Sequence, residues 1–90
     1  MASEDEIESA IYDLVVNYSA WTIGVSSHPS KKREKELEPL TWRHWHADTR
    51  QTAQKVVSHF VGMRMRMRRG RGELEPGLPA YVYLFIARYI

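Results

Sequence analysis

Residues 81–86 read Tyr-Val-Tyr-Leu-Phe-Ile, apolar at every position and therefore on both faces of any strand they form. A half-solvated strand alternates apolar with polar residues, so a strand with no polar position has to be covered on both sides. In a chain of 90 residues that demand predicts a small sheet with helices above and below it. Ser3 and Glu6 form a capping box, and Ile7, Ile11, Leu14, Val15 and Tyr18 recur at helical spacing behind it. This predicts a helix over about 4–18. From Ala20 to Ser26 the period changes to two, with Trp21, Ile23 and Val25 on one face, which predicts a strand. Lys31 to Glu38 is a charged helical run ended by Pro39, and Leu40 to Ala47 is strand-like. Asp48 and Gln51 form a second capping box, and Ala53, Val56, Val57 and Phe60 give a helix over about 49–61 with Gly62 beyond its end. The expected fold is α+β, in the order α-β-α-β-α-β, with a three-stranded sheet flanked by helices on both faces. The whole of 1–90 is one domain, with a basic Met/Arg segment at 63–71 and a Gly/Pro loop at 70–79.

Charge narrows the partners. The net charge is only +2, but it is unevenly spread. Glu4, Asp5, Glu6, Glu8 and Asp13 precede residue 31 with no lysine or arginine among them, whereas 31–71 is dominated by basic residues. A basic face with an acidic pole attracts phosphates and orients the molecule on approach. The absence of cysteine excludes disulfides and thiolate zinc sites, and fits a reducing cytoplasm. The acidic start lacks the plan of a signal peptide, and no apolar run approaches the roughly 20 residues of a membrane span. A cytoplasmic protein with no membrane partner is the expectation.

The densest signal is Met63 to Arg71, where Arg64, Arg66, Arg68, Arg69 and Arg71 interleave with methionines. In an extended segment, Arg64, Arg66 and Arg68 share one side and the methionines the other. Guanidinium groups so spaced match successive phosphates, each through two parallel hydrogen bonds. A solvated basic loop is the competing reading. Trp42 and Trp45 fall on opposite faces of their strand, and an exposed tryptophan beside Arg43 offers a stacking surface to a base. Core packing of both tryptophans is the alternative. His44 and His46, two residues apart, are candidate metal ligands, though a catalytic zinc needs three protein ligands and only His28 and His59 remain. There is no serine elbow, no phosphate-binding loop and no carboxylate pair set for acid–base work.

Trp21-Thr22-Ile23-Gly24-Val25, a turn with Pro29, and Lys32-Arg33-Glu34 opening a helix resemble the second half of the GIY-YIG nuclease motif region. The resemblance covers about residues 20–62. It implies that Arg33 occupies the place of the family's catalytic arginine, and that Ala53 to Phe60 resembles the helix carrying its metal-binding glutamate. Trp21 stands where the family has tyrosine, a helix fills the region of the first motif strand, and Val57 and Ser58 stand near the glutamate's place. A helix with no acid after Asp48 supplies no hard oxygen ligand for Mg²⁺. The resemblance therefore implies a degenerate member that keeps a basic cleft without the chemistry.

The function expected is a small nucleic-acid-binding domain, catalytically inactive and without cofactor. Arg33, Arg43, Arg64, Arg66, Arg68, Arg69 and Arg71 would hold phosphates of DNA or RNA, and Trp42 or Trp45 would stack on a base. Two other readings stay open. One is a nuclease dependent on Mg²⁺ or Mn²⁺, using Arg33 with unorthodox ligands such as His44 and His46. The other is a protein-interaction module whose basic face meets an acidic partner or its own acidic helix in a homodimer.

Overall fold

The computed structural model describes residues 1–67 and 74–86. Three helices, α1 (Glu4–Leu14), α2 (Pro29–Lys35) and α3 (Arg50–Gly62), accompany four strands, β1 (Thr22–Ser26), β2 (Arg43–His46), β3 (Arg66–Met67) and β4 (Tyr81–Phe85). The sheet runs β2-β4-β1-β3. β4 is antiparallel to both β1 and β2, while β3 lies parallel to β1 at the far edge. The α+β class and the central, doubly covered β4 agree with the sequence pattern. The expected three strands become four, because the Met/Arg segment supplies β3.

The segment is not extended throughout. α3 closes with Arg64 in the left-handed region at φ 75°, and the Met65 amide donates back to the Phe60 carbonyl. Only after this turn does the chain straighten, with the Arg66 amide bonded to the Trp21 carbonyl. The expected alternation holds only in part: Met65 is buried in the core and Arg66 is exposed, but Met67 is exposed as well, because β3 is a two-residue strand at the sheet edge. Arg68, Arg69, Arg71 and the first residues of the expected 70–79 loop lie outside the described residues.

α1 and α3 cover one face of the sheet. Ile7, Ile11 and Val15 from α1 and its exit meet Ala53, Val56, Val57 and Phe60 of α3 over Ile23, Val82 and Leu84. α1 starts with the expected reciprocal capping box of Ser3 and Glu6 but stops at Leu14, four residues short, where Val15 turns extended. A separate 3₁₀ turn (Tyr18–Ala20) then leads into β1. Leaving the helix early lets Tyr18 stack on Phe60 at 6.1 Å. α3 is capped by Thr49, whose hydroxyl accepts from the Thr52 amide, in place of the expected Asp48. Asp48 instead gives its amide to the Ala2 carbonyl, and Ala2 donates to His46, so the N-terminus covers part of the outer edge of β2. Such cover blunts an edge that would otherwise invite pairing with another chain.

The second face holds a smaller cluster. Trp42 stacks flat on Tyr83 at 4.9 Å and on Phe85 at 5.5 Å. Gly24 of β1 sits opposite Tyr83, whose ring fills the space a side chain at 24 would need. α2 begins at Pro29, two residues earlier than the charged run suggests, because proline suits the first turn of a helix. It ends at Lys35, with Leu37 and Glu38 both in the left-handed region. Their amides return to the Glu34 and Arg33 carbonyls and close the helix end.

Candidate nucleic-acid interface

Strand alternation sorts the candidate residues onto two faces. His44 pairs with Tyr83 and His46 with Tyr81, so both histidines share the face of Trp42 and Gly24, away from α1 and α3. Arg43 and Trp45 pair with Leu84 and Val82 on the other face. At the far edge Arg66 pairs with Thr22, which returns it to the face of the histidines.

A cleft of about 390 Å³ opens on that face, between the first turn of α2 and strands β2 and β4. Ser27, His28, Pro29, Ser30, Lys31, His44 and Tyr81 line it. Its inner end is held in place by three hydrogen bonds. The Ser26 hydroxyl accepts from the His28 amide at 2.9 Å, and the Ser27 hydroxyl accepts from the Glu75 amide at 3.0 Å. His28 Nε2 meets Glu75 Oε1 at 3.1 Å. The segment after β3 is thereby tied to the segment after β1, 48 residues away in the chain.

His44 is fixed more tightly than its exposure suggests. The Trp42 indole N–H donates to His44 Nδ1 at 2.9 Å. Nδ1 is therefore the acceptor nitrogen, and the neutral ring carries its proton on Nε2. The Tyr81 ring meets His44 edge-on at 5.8 Å, and His46 stacks on Tyr81 at 4.8 Å. Partial burial lowers the pKa of His44 below the ordinary 6.5, and the Arg33 guanidinium pushes it further the same way. Arg33 on α2 is thus close enough for its charge to be felt at the cleft.

The tautomer bears on metal binding. A histidine that ligates through Nε2 needs its proton on Nδ1, where it normally donates to an acceptor. Here Nδ1 faces a donor, so His44 is arranged to donate from Nε2. Among the described residues no group of three or more histidine and carboxylate side chains stands together as a metal site. His44 and His46 do share a face, with Tyr81 against both rings.

The other candidates are dispersed. Trp42 is 7% exposed and belongs to the core under the cleft, so the open stacking face is missing there. Trp45 is partly buried against the main core. Arg43 is exposed, and its Nη1 donates to the Trp42 carbonyl at 2.8 Å. Arg64 and Arg66 are exposed at the opposite edge of the sheet from Arg43. Sequence reasoning missed Lys31 and Tyr81 as neighbours of His44, while His28, named there only as a possible further ligand, does line the same cleft.

Tyr81 and Tyr83 enter this region from β4, which runs antiparallel to β1. The strand bearing Ile23-Gly24 therefore has a tyrosine-bearing partner beside it, supplied from the end of the chain. No helix among the described residues is long and apolar enough to cross a membrane. Comparison with protein families, with characterised proteins and with solved structures finds no match to this chain.

Proposed function

We propose that this domain binds nucleic acid through its phosphates, on the sheet face that carries α2. The observation that carries this reading is the separation of charge across the sheet. α1, with Glu4, Asp5, Glu6, Glu8 and Asp13, packs on one side, where Lys55 of α3 answers part of its charge. On the other side Lys31 lines the cleft, Arg33 acts on His44 and Arg66 shares the face of the histidines, with Glu75 bonded to His28 as the carboxylate beside them. A polyanion approaching this field is drawn to one face and away from the other. Because the cations are spread along a surface and contact phosphate, binding is weakly sequence-specific and steeply salt-dependent, for DNA or RNA alike.

The likeness to the GIY-YIG family gains support from β4, which stands antiparallel beside β1 where the first motif strand was missing from the sequence order. Arg33 near His44 is compatible with a phosphate cleft of that kind. α3 carries no carboxylate, so the domain in this reading holds a strand without cutting it.

Fluorescence anisotropy with labelled single- and double-stranded oligonucleotides across a salt series tests the proposal. The logarithm of affinity should fall linearly with the logarithm of salt concentration. Arg64→Ala combined with Arg66→Ala should lower the slope by about two and weaken binding at low salt. Unchanged affinity and slope in that variant would remove the β3 edge from the interface, and the same result in Lys31→Ala with Arg33→Ala would remove the face. Divalent-metal-dependent cleavage of plasmid DNA that vanishes in Arg33→Ala would replace binding with a nuclease. A mass that rises with protein concentration, with no affinity for oligonucleotides, would favour a protein-interaction module.

A further inference from the structure

We infer that the cleft between the first turn of α2 and the β2–β4 face holds the terminal phosphate of a nucleic-acid strand, with Lys31 supplying charge and His44 Nε2–H a neutral hydrogen bond. This rests on the nucleic-acid reading and narrows it from the strand's backbone to its end.

Four features converge on that ligand. The volume, about 390 Å³, lies at the small end of the range for ligand sites and suits one nucleotide, not a continuous strand. Ser27 and His28, at the inner end, are tied to Glu75 by hydrogen bonds of 3.0 and 3.1 Å. These bonds fix the Ser27–His28 side of the cleft before a ligand arrives. Lys31 lines the cleft and Arg33 lies near His44, which gives two cations for a group carrying about −1.5 to −2 charge as a monoester. An internal phosphodiester carries one negative charge and uses that field less fully. Glu75, a carboxylate beside the lining, is engaged by His28 Nε2 at 3.1 Å.

The fourth feature is His44. The Trp42 indole takes up Nδ1 and so directs the remaining N–H, on Nε2, away from the core cluster. A donor held by a buried tryptophan is ordered before the ligand arrives, which lowers the entropic cost of binding. The Ser30 hydroxyl adds a second neutral donor in the lining.

The test uses the full chain and short labelled single strands bearing 5′-hydroxyl, 5′-phosphate or 3′-phosphate ends. A terminal phosphate should tighten binding by about tenfold or more, as expected for charge-assisted hydrogen bonds. Lys31→Ala and His44→Phe should each reduce the preference for the phosphorylated over the unphosphorylated strand to less than about twofold, beside whatever general loss of backbone binding Lys31→Ala brings. Lys31 is exposed on α2, so its variant keeps the fold even where His44→Phe disturbs Trp42. Equal affinity for phosphorylated and unphosphorylated strands would overturn the inference and leave backbone binding intact. Should no strand bind at low salt, the broader reading fails. Adenosine monophosphate then decides the narrower one: displaced His44 ring resonances on its addition retain the phosphate site, and unmoved resonances reject it.

Discussion

Trp42 and His44 act as a pair, since the indole N–H fixes the neutral tautomer of the imidazole and stands where a second ring proton would go. Protonating His44 places a second N–H on Nδ1, against the Trp42 donor 2.9 Å away. Burial and Arg33 already hold its pKa below 6.5, and the folded state therefore binds fewer protons at this ring than the unfolded chain does. The stability it contributes is complete above pH 6.5 and is lost as pH falls below 6.5 through the folded-state pKa. Trp42→Phe removes the opposing donor and should raise the His44 pKa, as followed by NMR titration of the ring protons. An unchanged or lower value would show that the indole bond does not control the ring. Gly24 makes a second residue-scale test. A Cβ there would overlap the Tyr83 hydroxyl and come within 2.5 Å of ring carbon Cζ. Gly24→Ala should cost about 1–3 kcal/mol of stability, measured by urea denaturation, because Tyr83 is fully buried beneath Trp42. A cost under about 0.5 kcal/mol would mean the aromatic cluster yields easily.

At the scale of elements, the helix ends are set by local chemistry that differs from one to the next. Ser3 accepts from the Glu6 amide and donates its own amide to the Glu6 carboxylate. Ser3→Ala should therefore lower stability by about 1 kcal/mol, visible in the thermal midpoint. The end of α2 is different: Leu37 at φ 64° and Glu38 at φ 49° are both left-handed without being glycine. Each such residue costs about 1–2 kcal/mol of backbone strain, while glycine would add less than that in unfolded-state entropy. Glu38→Gly should stabilise the domain by about 0.5 kcal/mol or more, and a lower thermal midpoint would contradict the strain argument. The loop that follows leaves Leu37 and Leu40 each 79% exposed, while Thr41 anchors it by accepting from the Ile86 amide. Anchored at both ends, α2 is held with Lys31 in the lining of the cleft.

Across the whole molecule, the sheet separates two chemistries. Its α1–α3 face buries the main core, including Ile7, Ile11, Val56 and Phe60, all at 0% exposure. Phe60→Ala should cost about 3–5 kcal/mol, a large fraction of the stability of so small a domain. The opposite face is thinner, roofed by Trp42 and bordered by α2, and it carries the cleft. Loss of the main core should therefore unfold the protein. Loss of Lys31 or Arg33 should leave the melting temperature within about 2 °C while weakening phosphate binding, since exposed charges contribute little to stability. A circular-dichroism melt run beside each anisotropy titration separates the two effects.

The amino-acid sequence determined the local matters: which segments are helical, where the period turns to two, and that β4 is covered on both sides. Each of these follows from spacing along a few neighbouring residues, as with the Ser3–Glu6 box or the stripe from Ala53 to Phe60. The uneven charge was likewise legible, because it is a property of composition along the chain. Tertiary structure alone decided what depends on distant pairing. β3 exists because Arg66 finds the Trp21 carbonyl, a partner that no local pattern announces in a two-residue strand. The early stop of α1, the transfer of the α3 cap to Thr49 and the burial of Trp42 all answer to neighbours far off in sequence. The cleft is the clearest case. It joins His28, Lys31, His44 and Tyr81 from three elements, closed by a bond from Ser27 to Glu75. Periodicity assigns a residue to a face, but only the order β2-β4-β1-β3 determines which faces meet.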